Sequence, residues 1–209
     1  MKTSYEFLSG LDLLNWFRYA AIIKKLTKLK PKSVLEAGPG EGVIKSIMSR
    51  YVERYDTLDV NSKLEPTYLS DVRGRIPKAT GKYDVVIAAD ILEHIPFVDV
   101  PTALRNLREY LMPGGVALIT IPHRAWFVFW MDWISGQGHT FRFPDWIRTF
   151  YHHRLHRRKN PIDTDHSWEI GDGLHKVQDI ENIMRDAGFL IKERQELPYV
   201  DFWVLGDYQ

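Results

Sequence analysis

The chain has 209 residues, 44% of them hydrophobic, and 28 basic against 27 acidic side chains give a formal net charge of +1. That size and apolar content suit a single domain over residues 1–209 and exclude two large ones, and the balanced charge gives no global attraction to a polyanion. With no cysteine, disulfides, thiolate metal sites and a cysteine nucleophile are excluded, which fits a reducing cytoplasm.

"MKTSYEFLSG" lacks the charged start and apolar core of a leader peptide, so none is expected. From Leu11 to Leu29, apolar residues recur at spacings of three and four (Leu14, Phe17, Ala20, Ile23, Leu26). Lysines collect at the end and Pro31 follows, which predicts a helix. "SVLEAG" predicts a buried strand, "GVIKSIMSRYVE" a helix and "RYDTLDV" a second strand. "KYDVVIAADIL" reads as a continuously apolar strand, "VPTALRNLREYL" as an amphipathic helix and "GGVALITIP" as another strand. This alternation predicts an α/β fold, a parallel sheet with helices on both faces.

After Pro122 the alternation breaks for residues 123–170, an aromatic and basic insertion. "AWFVFWMDWI" within it is about half the length that spans a bilayer and holds Asp132, so no transmembrane helix is expected. "VQDIENIMRDAGF" then predicts a helix closed by Gly188. The chain ends in two strand-like runs interrupted at Pro198, and without a crossover between them they pair antiparallel.

The stretch "VLEAGPGEG" places a strand, a glycine turn and a helix start in succession, which opens backbone N–H groups to a ligand at the carboxyl ends of the strands. Gly38, Gly40 and Gly42 follow G-x-G-x-G, and Val43 stands where a dinucleotide fingerprint wants a small residue, which weighs against NAD. Asp59, about twenty positions on, suits a ribose diol. Glu36 and Glu41 beside the turn would repel a pyrophosphate and welcome a ligand with an amino group and a sulfonium.

With "LDV", "SDV", "YDVVIAADILEHI" and "LREYLMPGGVALITIP" in order after it, "VLEAGPGEG" resembles the first motif of the class I S-adenosylmethionine-dependent methyltransferases, from about Tyr19 onward. The resemblance implies a Rossmann-like seven-stranded sheet whose last strand is antiparallel, an N-terminal capping helix within residues 1–30, and S-adenosylmethionine as cofactor. Carried over, Glu36 and Asp90 face the methionine end, Gly38, Gly40 and Gly42 form the turn, Asp59 with Val60 meets the ribose, and Asp71 with Val72 the adenine. Arg18 in "NWFRYA" is the candidate for the methionine carboxylate.

The acceptor reads as a small or lipid-like molecule methylated on oxygen, with His94, His123 and His166 as candidate bases beside the weaker His139 and His175. Quinone-ring and small-RNA terminal O-methyltransferases hold a divalent cation with E-x-x-E-H and a distant histidine. Here Asp90 makes the run D-x-x-E-H with Glu93 and His94, "LEH" also occurs in metal-free members, and no metal is expected. "DTDHSWEIGDGLH" resembles a stretch of small-molecule members in which His166 and Trp168 roof the acceptor. Trp126 and Trp130 are further acceptor-binding candidates.

The insertion, with Trp126, Trp130, Trp133 and Trp146 ahead of Arg148, Arg154, Arg157, Arg158 and Lys159, admits three roles. It can be a lid or homodimer contact; it can sit peripherally on an anionic membrane at about 1 kcal/mol per basic residue; or it can bind RNA, which the near-neutral charge disfavours. Alternatives to a small-molecule methyltransferase are an RNA methyltransferase, an NAD-type oxidoreductase and a noncatalytic cofactor-binding scaffold.

Overall fold

The computed structural model describes residues 13–132, 138–144, 147 and 165–207. Helix α1 (Leu13–Leu29) leads into β1 (Ser33–Ala37), α2 (Val43–Met48), β2 (Arg54–Asp59), β3 (Tyr68–Leu69), β4 (Tyr83–Ala89), α3 (Val100–Tyr110) and β5 (Leu111–Pro122). The hairpin β6 (Phe127–Met131) and β7 (Gly138–Arg142) comes next, then α4 (Val177–Asp186), β8 (Phe189–Glu196) and β9 (Val200–Asp207). One sheet runs in the order β3-β2-β1-β4-β5-β9-β8, parallel from β3 to β5, with β9 antiparallel to both of its neighbours. The strand order reverses between β1 and β4, which opens a crevice beyond their carboxyl ends.

Strand residues alternate between two cores because both faces are covered. Val86, Ala88, Ala117, Ile119 and Ile121 pack with Leu104 and Leu107 of α3 and Ile180 and Met184 of α4. Their neighbours Val85, Ile87, Val116 and Leu118 pack with Ile22 and Leu26 of α1 and Ile44 and Met48 of α2. The helix expected to reach Glu53 stops at Met48, where the Tyr51 N–H bonds the Met48 carbonyl and turns the chain into β2.

The insertion carries structure that its composition did not reveal. β6 and β7 pair with Val128 opposite Phe141 and Trp130 opposite His139, outside the main sheet. Alternation gives the hairpin two faces: Phe129 packs on Phe17 of α1 with ring centroids 4.5 Å apart, whereas Val128, Trp130 and Phe141 are about half exposed. Among the described residues no helix is long and apolar enough to cross a membrane.

Candidate active site at the carboxyl ends of the strands

The turn after β1 is held by the Gly38 N–H, which donates to the Leu58 carbonyl at 2.8 Å. Gly38 has φ +64°, and a Cβ there would lie 2.2 Å from Ile91 Cγ2, so only glycine lets the turn pass the β4 loop. Gly38, Ile91, Asp59, Val60, Asp71 and Val72 line a cavity of about 330 Å³. Asp59 accepts from the Asn61 N–H at 2.8 Å, which fixes its carboxylate at the cavity edge. Asp71 is gripped by Arg73 at 2.7 and 2.9 Å, and this hydrogen bonding holds its carboxyl below the usual carboxylate range. Gly40 and Gly42 line a neighbouring groove with Lys45 and Leu64.

Glu36, in β1, is 3% exposed, accepts from the Tyr55 hydroxyl at 2.8 Å and is not among the residues lining these cavities. Burial pushes its carboxyl up to about 7 against the relief given by Tyr55, Lys45 and Arg18. Asp90 has φ +51°, a conformation that aspartate tolerates better than most side chains. It takes the Thr120 hydroxyl at 2.5 Å and the Arg18 guanidinium. Arg18, expected to bind a methionine carboxylate, is thus ion-paired with Asp90, expected to line the methionine side.

A second cavity, of about 460 Å³, is lined by Arg18, Asp90, Glu93, His94, His123 and His166 among others. His94 lines both this cavity and the one beside Asp59. Backbone bonds create the convergence: the Ser167 N–H donates to the Glu93 carbonyl at 2.7 Å, and His94 Nδ1 lies 2.9 Å from the Asp165 carbonyl. The rings of His94 and His166 come within 4.9 Å, edge to face.

Ligand atoms of Glu93, His94 and His166 lie within 4.8 Å of one another. Glu93 is fully buried and neither of its carboxylate oxygens has a hydrogen-bond partner. Burial, then the nearby Asp90 charge, push its carboxyl well above the usual range. A carbonyl only accepts, so neutral His94 carries its proton on Nδ1 and keeps a lone pair on Nε2; His166, with Nδ1 2.7 Å from Glu169 Oε1, does the same. Two imidazoles with supported far nitrogens and an orphaned carboxylate are a donor set that could hold a divalent transition ion. The sequence expected no metal, and its D-x-x-E-H set included Asp90; the residues that converge are Glu93, His94 and His166, with Asp90 engaged elsewhere.

Of the other candidates, His123 lines the second cavity, at the end of β5. Trp168 is not its roof: it is 1% exposed within the core, its indole N–H bonded to the Ile95 carbonyl at 3.1 Å. Trp126 and Trp130 stand partly exposed, and neither is among the residues lining that cavity. His139 stacks on Trp130, and His175 packs on Phe97 while bonded to Asp172, so both lie away from the cavity wall. Trp133, Trp146, Arg148, Arg154, Arg157, Arg158 and Lys159 lie outside the described residues. Sequence reasoning missed Tyr55, Arg124, Glu169 and Tyr199. Only Glu169, three positions after His166, carried a local signal.

The doubly wound sheet, with a glycine turn and an acid-edged crevice at the carboxyl ends of its strands, is the fold that the sequence resemblance implies. The chain belongs to the family described as "Methyltransferase domain", which matches residues 16–193, and S-adenosylmethionine is the cofactor of that family. An oxidoreductase reading is thereby set aside. The chain is 27% identical over 135 residues to a ubiquinone biosynthesis O-methyltransferase of Proteus mirabilis, covering 56% of this chain and 54% of that one. It spans about half the length of the curated relatives it matches. Among solved structures, an S-adenosylmethionine-dependent methyltransferase from Clostridium acetobutylicum superposes with a TM-score of 0.63 at 11% identity, over 97% of this chain and 95% of that one. A Burkholderia thailandensis 1,6-didemethyltoxoflavin N1-methyltransferase, solved with S-adenosylhomocysteine, gives 0.58 at 12% identity, over 91% and 77%.

Proposed function

We propose that the chain transfers the S-adenosylmethionine methyl group to a hydroxyl oxygen of a small, lipid-like aromatic acceptor seated in the His94–His123–His166 cavity. The observation that carries this reading is that His94 borders both cavities, so a cofactor along Asp71, Asp59 and Gly38 would end where an acceptor begins. Asp59 would hold the ribose and Glu36 and Asp90 the amino group, while Arg18 would exchange Asp90 for the methionine carboxylate. Displacement at a sulfonium carbon needs mainly alignment and exclusion of water, which the covering helix α1 supplies.

The orphaned Glu93 carboxylate fits a divalent cation shared with His94 and His166. When bound, such an ion lowers the pKa of a hydroxyl oxygen. The name of the Proteus mirabilis relative, a ubiquinone biosynthesis O-methyltransferase, supports oxygen as the accepting atom. Tritiated S-adenosylmethionine offered with catechol, a polyprenyl quinol, membrane lipid extract and RNA should label the quinol or lipid fraction. Label confined to RNA would overturn this reading, and no transfer at all despite cofactor binding would favour a scaffold.

The half-exposed face of Val128, Trp130 and Phe141 favours a second element, peripheral contact of a cytoplasmic enzyme with a membrane. Vesicles containing phosphatidylglycerol should float the chain, and Val128→Ser with Phe141→Ser should cut the floated fraction at least fivefold. Unchanged flotation, or loss of a dimer in sedimentation instead, assigns the face elsewhere.

A further inference from the structure

The loop after β3 places Asp71 on the wall of the cavity beside Asp59, and bonds to α3 hold that loop along its length. Buried Asn106 donates from Nδ2 to the Val72 carbonyl at 3.1 Å. The Tyr110 hydroxyl donates to the Gly74 carbonyl at 3.1 Å and accepts from the Ile76 N–H at 3.1 Å. A further tie is ionic: Arg73 Nη1 reaches Asp99 Oδ2 at 3.0 Å. Asp99 stands directly before α3, where an aspartate ordinarily caps the helix, yet its side chain makes no capping bond and is given to Arg73.

An ionised carboxylate offers about four acceptor positions. Arg73 takes three of those on Asp71: its backbone N–H donates to Oδ1 at 2.8 Å, Nε to the same oxygen at 2.9 Å and Nη2 to Oδ2 at 2.7 Å. No other N–H or O–H among the described residues reaches the Asp71 carboxylate, so one acceptor position remains, on Oδ2. The same grip holds the carboxyl below its usual range, so Asp71 is an acceptor at neutral pH. The exocyclic amine of adenine is a donor of matching kind, and a hydrogen bond to a charged acceptor is among the stronger ones. Arg73 lines the same cavity as Asp71, and neither Arg73 nor Asp99 belongs to the runs that carry the family resemblance.

We propose that Arg73 is a positioning residue that makes this cavity selective for a 6-aminopurine: its two-pronged grip fixes the remaining acceptor of Asp71 for the purine amine, and Asp99 holds the guanidinium in place. The assignment rests on the placing of the cofactor along Asp71, Asp59 and Gly38 proposed above. Without the fork, the Asp71 carboxylate turns about its own bond and spends its acceptors on water, and the amine loses an aligned partner. Contacts to the ribose and to the methionine end come from other residues and do not depend on the fork. Lysine at position 73 would supply a point charge and no planar fork, so charge and geometry are separable.

Titration calorimetry of the full chain with S-adenosylhomocysteine, and with its 6-deamino analogue carrying hydrogen in place of the amine, reads the ratio of the two affinities without any acceptor. The native protein should hold the amine-bearing compound about tenfold or more tightly than the analogue. Arg73→Ala should cut that ratio to about threefold or less, through weaker binding of the amine-bearing compound alone. Arg73→Lys should leave the ratio low, and Asp99→Ala should bring it to an intermediate value. A ratio that survives Arg73→Ala while Asp71→Ala abolishes it overturns the assignment. So does an equal loss for both compounds in Arg73→Ala, the mark of a merely structural part, or full recovery in Arg73→Lys. An unchanged ratio in Asp99→Ala removes Asp99 from the arrangement. If S-adenosylhomocysteine binds and the native protein does not distinguish the two compounds, the placing of adenine against Asp71 fails and the role of Arg73 with it. If S-adenosylhomocysteine does not bind at all, it is the cofactor reading that fails.

Discussion

Glu36→Gln is expected to melt several degrees above the native protein at pH 8 and to bind S-adenosylmethionine roughly a hundredfold more weakly, the value of about 2–3 kcal/mol for a hydrogen bond to a charged group. The stability gain follows from linkage. Burial raises the Glu36 carboxyl from its ordinary 4.5 to about 7, so the folded state holds this proton more tightly than the unfolded one. Native stability is full below pH 4.5, falls as pH rises through that window, and by pH 8 has lost about 3 kcal/mol, which a neutral glutamine does not lose. The affinity loss follows from the same group, since an amino group facing Glu36 favours its ionised form. Titration calorimetry on the native protein should show affinity falling about tenfold per unit below pH 7, and Glu36→Gln should flatten that dependence. A native affinity independent of pH from 5.5 to 8 would separate Glu36 from the cofactor.

The second large effect concerns Glu93. Manganese or zinc at a hundred times its dissociation constant should stabilise the native chain by about 2.7 kcal/mol, visible as a rise in Tm of several degrees. Glu93→Gln should abolish that rise, and either this variant or excess chelator should slow methyl transfer on the order of a hundredfold or more. A native protein that melts identically with and without these ions and methylates in excess chelator would take the cation out of the reaction.

The parallel half of the fold was legible because β1, β4 and β5 are buried on both sides and so spell largely apolar runs, and the candidate crevice because Gly38 and Asp59 are separated by one βαβ unit. The hairpin was hidden by its own composition. With Phe129 facing α1 and Val128 and Trp130 facing out, both faces are apolar and the period of two vanishes from the sequence. β3 is two residues long, too short to leave a pattern. The acceptor wall was half legible: His94 and His166 stood out as residues, but the bonds from Ser167 to Glu93 and from Asp165 to His94 that join them span over seventy positions. Asp201 was invisible for a different reason, since a single acid in "YVDFWVLG" looks like the wet side of a strand, and its burial is made tolerable by Arg142, arriving from the insertion, together with His123.

The place of β9 has a consequence for how the chain comes off the ribosome. It follows β8 in the chain yet lies between β5 and β8 in the sheet, so until residues 200–207 emerge, β8 has no strand to join and β5 presents a bare edge. Nascent chains stalled before residue 200 should therefore be clients for chaperones, and pairing of β9 is the step that covers the edge of β5.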